Sequence, residues 1–60
     1  MISTLQNMLD ASNSMRAELE DILDGIPPES EELSAWILHA VEHLFEVSGG
    51  LERAIRHVDD

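Results

Sequence analysis

The chain has 60 residues, carries 13 Asp and Glu against 3 Arg with no Lys and no Cys, and has a formal net charge of -10. A chain this short is read as one domain, residues 1–60, which buries only about 60% of its unfolded surface; a deep pocket walled by its own core is excluded, and with it most enzyme folds. Without cysteine there is no disulfide and no thiolate metal site, no apolar run approaches the ~20 residues that span a bilayer, and the charge opposes direct contact with nucleic acid or an anionic membrane.

From Leu5 the positions Leu5, Met8, Ser12, Met15, Leu19, Ile22 and Ile26 alternate by three and four, and only Ser12 among them is polar. That is a heptad seam on a helix, which Leu9 and Leu23 widen on one side. Ser3 and Gln6 have capping-box spacing, and Gly25 ahead of Pro27 and Pro28 is a stop, so the first helix is predicted over about residues 4–24. Pro27, Pro28 and Glu29 form the turn. Ser30 then suits an N-cap, with Glu31 and Glu32 in the first turn beside the positive end of the helix dipole.

The second helix is predicted over about residues 30–48, with Leu33, Ile37, Ala40, Leu44 and Val47 as its seam. Trp36, Leu38, Val41 and Phe45 extend the apolar arc to about 200°, wider than one partner helix covers. A third helix or a second copy of the protein is needed to bury the remainder. The seam runs on through Leu51, Ala54 and Val58 beyond Gly49-Gly50, so residues 51–58 either continue the second helix or fold back as a short third one. The fold class is all-α: an antiparallel helical hairpin, expected to pair with a second copy into a bundle.

The acids are unevenly placed. The first 15 residues hold one charged side chain, Asp10, whereas Glu18, Glu20, Asp21, Asp24, Glu29, Glu31 and Glu32 fall within fifteen residues with no base among them. In a hairpin this stretch is a single pole. Glu20, Asp21 and Asp24 sit at the negative end of their helix, where each costs a few tenths of a kcal/mol. A local rule broken without visible compensation marks a candidate functional site, although a solvated tip without a role has the same appearance. Glu42 and Glu46, on the narrow polar side of the second helix, can extend the acidic surface. Arg53 and Arg56, with His57, gather positive charge near the C-terminus and are expected to pair with Glu46, Glu52, Asp59 or Asp60.

His39, Val41, Glu42 and His43 fit an H-x-x-E-H pattern, in which two histidines one helical turn apart bind zinc beside a glutamate base. Catalysis of that kind also needs a third ligand and a walled cleft, which sixty residues do not supply. The histidines are therefore read as flanking residues, no catalytic residue is assigned, and no cofactor or metal is expected. Met8 and Met15 are read as core, and Trp36 at the edge of the arc as a core or interface residue.

In size, charge and helicity the whole chain resembles the small acidic phage-encoded inhibitors of host defence, the anti-CRISPR and anti-restriction type, several of which imitate DNA. That resemblance implies a non-enzymatic, cytoplasmic inhibitor whose acids occupy the basic, nucleic-acid-binding surface of a target protein. Acidity alone also suits a merely soluble protein or one from a high-salt organism. The alternative function is a helical adaptor, antitoxin-like partner or dimerisation module that binds through Trp36, Leu38, Val41 and Phe45.

Overall fold

The computed structural model describes residues 1–59; Asp60, expected above to pair with an arginine, lies outside them. Two helices, α1 (Ile2–Asp24) and α2 (Glu31–Asp59), pack against each other. The first begins two residues earlier than the capping-box reading implies. Its first bond runs from the Leu5 N–H to the Met1 carbonyl at 3.0 Å, and no side chain caps it. Ser3 thus lies inside the first turn and the Ser3–Gln6 box is not the start. Beginning at Ile2 brings that side chain into the stripe that continues with Leu5.

The stop falls where expected. Gly25 has a right-handed backbone (φ -93°, ψ -1°), its N–H bonds to the Ile22 carbonyl at 3.0 Å, and the Ile26 N–H bonds to Leu23 at 3.3 Å. These bonds span three residues and tighten the last turn. Pro27 then has no N–H to continue the ladder and disfavours helical backbone at Ile26. A bond from the Ser30 N–H to the Pro27 carbonyl (3.0 Å) closes the turn, and one from the Ser34 N–H to the Ser30 carbonyl (3.1 Å) opens α2.

The second helix is continuous through Gly49-Gly50, which decides between the two possibilities left open for residues 51–58. Two interior glycines cost about 2 kcal/mol relative to alanine. Packing offsets this, because Leu44, Ser48, Leu51 and Ile55 keep their three-four spacing across the pair and a break would remove the partner of Leu5 and Leu9. The resulting rod measures 48 × 14 × 11 Å over its Cα atoms.

Both seams are rotated from their predicted phase. The less exposed residues of α1 include Ile2, Leu5, Leu9, Ser12, Arg16, Leu19 and Leu23, and those of α2 include Ser34, Ile37, Val41, Leu44, Ser48, Leu51 and Ile55. Leu5, Ser12 and Leu19 are shared with the predicted seam, as are Ile37, Ala40, Leu44, Leu51 and Ala54. The alternate rungs differ: Met8, Met15 and Ile22 are 51%, 51% and 53% exposed, and Leu33 and Val47 are 52% and 48% exposed. Each helix has apolar residues on both sides of its shared rungs, so periodicity cannot choose between them. Arg16 and Ser48 made the true side look worse. Arg16 is accepted there because its aliphatic stem packs along the seam while its head reaches water.

At mid-rod the helices meet through small side chains. Ser12 and Ser48 are the only buried residues among those described, at 8% and 5% exposure, and the Ser48 hydroxyl donates to Asn13 Oδ1 at 2.9 Å. No apolar side chain among the described residues is buried. A Cβ at Gly49 meets nothing within 4 Å, so Gly49→Ala should stabilise the protein by about 1 kcal/mol. Ser48→Leu, which forces the helices apart, should cost about 1–3 kcal/mol. Thermal melts followed by circular dichroism check both.

Candidate partner-binding surfaces

Three contacts fix how the flanks of the two helices meet. Asn13 bonds Ser48, the Arg16 guanidinium lies 5.0 Å over the Phe45 ring, and Gln6 and Leu9 share a shallow open groove with Glu52, Ile55 and Arg56. One side of the rod therefore combines the Gln6, Asn13, Glu20 flank of α1 with the Leu38, Phe45, Glu52 flank of α2. Each of these sets repeats every seven residues. The opposite side must then combine the remaining flanks, Met1, Met8, Met15 and Ile22 from α1 with Leu33, Ala40, Val47 and Ala54 from α2. It carries no charged residue at any of those positions.

The four residues singled out as an apolar contact are not brought onto one surface. Leu38 and Phe45, 46% and 66% exposed, lie on the mixed side, and Val41 is turned into the seam between the helices. Trp36, 65% exposed, is one turn from both Leu33 and Ala40 and so borders the uncharged side. The methionines missed as surface residues belong to that side too. A strict repeat of seven at Met1, Met8, Met15 and Ile22 is the signal that could have revealed a second stripe distinct from the seam.

The acidic pole forms as expected from the hairpin. Glu18, Glu20, Asp21 and Asp24 at the end of α1, Glu29 in the turn, and Glu31 and Glu32 at the start of α2 are all exposed at one end of the rod. Their sole ion-pair contact among the described residues is Arg16 Nε to Glu20 Oε1 at 3.9 Å, a partly exposed pair that contributes little. Glu42 and Glu46 are exposed on the outward side of α2, away from α1. Arg53 and Arg56 do not reach ion-pair distance of Glu46, Glu52 or Asp59. Glu46 is two turns from Arg53, and Arg56 instead lines the groove with Glu52.

His39 and His43 turn toward each other. Their Nε2 atoms are 2.9 Å apart with the rings edge-on at 75°, so one nitrogen donates and the other accepts. The Trp36 ring stands edge-on to His39 at 6.2 Å. No group of three His, Cys, Asp or Glu among the described residues is gathered to hold a metal ion, and no helix is long and apolar enough to cross a membrane. Comparison with family models, curated proteins and solved structures finds no match to this chain.

Two outcomes follow from this electrostatics and packing. Seven like charges at one pole repel, so the melting temperature should rise as NaCl goes from low to about 0.5 M, where the Debye length falls to only a few Å. Arg16→Leu places an apolar side chain on a seam position and removes only weak contacts, and should raise stability by about 1 kcal/mol in chemical denaturation.

Proposed function

We propose that the protein is a non-enzymatic inhibitor that works as a homodimeric helical bundle and presents its acidic poles to a basic, nucleic-acid-binding surface of a target protein. The observation that supports this reading most directly is the pole itself: seven exposed carboxylates on the end of a narrow rod, with one weak ion pair among them. Carboxylates left unpaired at a helix C-terminus oppose folding, and basic side chains of a partner would relieve that repulsion through charge-assisted, and with arginine bidentate, hydrogen bonds. Association of this type is fast at low salt and weakens steeply as salt rises. Glu42 and Glu46 extend the contact along the outward side of α2. Nucleic acid itself is not a partner, since it carries the same sign of charge, and the acting compartment is the one that holds the target, the cytoplasm.

The test is capture of targets from the source cell on the immobilised protein, elution with a salt gradient and competition with free duplex DNA. A nucleic-acid-binding protein should be retained, released by moderate salt and displaced by DNA. The variant with Asp21→Lys, Asp24→Lys, Glu31→Lys and Glu32→Lys should keep its helicity and retain none of it. Undiminished capture by that variant would refute the reading.

The second reading, an adaptor, is favoured by one observation: Leu38 and Phe45 remain 46% and 66% exposed beside the seam. A partner held there would stay bound in high salt, and Phe45→Glu would release it while the lysine changes would not.

A further inference from the structure

The uncharged side of the rod specifies how two copies pair. We infer that a second copy covers it in antiparallel fashion, α2 lying along the partner's α2 about a two-fold axis near His43, so that the two acidic poles stand at opposite ends of the bundle. This rests on the dimeric reading above and adds its geometry; it does not depend on what the poles bind.

The surface area supports a second copy as the occupant. The chain exposes 4617 Å², whereas a compact protein of its 6.7 kDa mass exposes about 3,900 Å². The excess of about 700 Å² is close to the roughly 800 Å² that each partner contributes to a standard stable interface. Met8, Met15, Ile22, Leu33, Trp36 and Val47, each half exposed or more except Val47 at 48%, are the apolar material available for it. A two-fold interface must be self-complementary, and the α2 stripe meets this requirement. Reversed about a point near His43, Leu33 falls opposite the partner's Ala54 and Ala40 opposite the partner's Val47, a large residue against a small one in each case. In the same register Trp36 stands within one residue, about 1.5 Å along the axis, of the level of the partner's Gly50.

That register explains a glycine that the single chain does not. Gly50 is in mid-helix, exposed, with a right-handed backbone and nothing within 4 Å of a Cβ placed on it. Alanine there would favour the helix by about 1 kcal/mol. Gly50 neighbours Val47 and Ala54 on the uncharged side, where an indole from a partner would need the absent Cβ. Gly49 is one position around the helix, on the other side, and serves as the internal control.

Charge selects the orientation. A two-fold axis along the rod would place both sets of seven acids side by side. An axis across it separates them by most of the 48 Å rod, several Debye lengths at physiological salt. It also sets each acidic pole beside the Arg53, Arg56 and His57 end of the other copy.

The test uses sedimentation of the full chain together with spin-label distances. The protein should sediment as a dimer, and Val47→Glu should convert it to a helical monomer. Gly50→Ala should raise the dissociation constant about tenfold or more although it favours the helix, whereas Gly49→Ala should leave the constant unchanged; loss of the dimer in Gly50→Ala therefore cannot be ascribed to unfolding. Spin labels on Glu29→Cys should lie about 40 Å or more apart, near the rod length. A wild-type monomer would overturn the dimeric reading and this inference together. A dimer with labels within about 20 Å, or one indifferent to Gly50→Ala, would overturn the antiparallel geometry alone.

Discussion

Two helices lying side by side touch along a line, and whatever apolar surface lies off that line stays wet. In this hairpin the line is drawn by Ser12 and Ser48, whose small side chains let the backbones approach until both are buried, while Leu5, Leu9, Leu19 and Leu23 on one helix and Ile37, Leu44 and Leu51 on the other are only partly covered. Close approach at mid-rod has a consequence for the flanks. It draws them together on each side of the seam and turns two single stripes into one broader surface. Stability, association and the placement of charge all follow from that arrangement.

The two flanks are chemically unlike. One mixes Gln6, Asn13 and Glu20 with Leu38, Phe45 and Glu52, and the Arg16 guanidinium closes over Phe45. The other has no charged side chain at its own positions, is bordered by Glu18, and exposes Met8, Met15, Ile22, Leu33 and Val47. A chain of this size without disulfide or metal commonly depends on association for its stability, and a face this apolar beside a surface this acidic is a strong determinant of where association occurs. In the proposed assembly the acids and the apolar face would divide the work: one would address basic partners and the other would hold the two copies together.

The pole is a product of topology as much as of composition. Glu18 and Glu32 are fourteen residues apart in the chain and would be far apart on one continuous helix. Pro27 and Pro28 reverse the chain and fold the acidic stretch onto itself, so carboxylates from both helices share one end. Among the described residues no ion pair neutralises them beyond that of Arg16 and Glu20. The repulsion is a standing cost to the free protein and a driving force toward any surface that supplies cations.

The sequence by itself determined the two helices, the stop at Gly25 and Pro27, the fold class and the acidic pole, because capping, proline chemistry and charge are local properties that no neighbour needs to arbitrate. Its spacing also gave α2 an apolar arc wider than one helix covers, and Leu33, Trp36, Leu38, Phe45 and Val47 stay exposed. Only the tertiary structure decided which of two equally periodic stripes on each helix faces inward, since Leu9 and Met8, or Ser48 and Val47, are equivalent in spacing and differ in what packs against them. Trp36 and Phe45, nine residues and hence about 180° apart on any α-helix, already stood at opposite edges of the arc; the choice of seam set α1 between those edges and turned Val41 inward. Continuity through Gly49-Gly50 was likewise a tertiary outcome: the glycines weaken the helix locally, and contact with α1 on both sides of the pair carries it through.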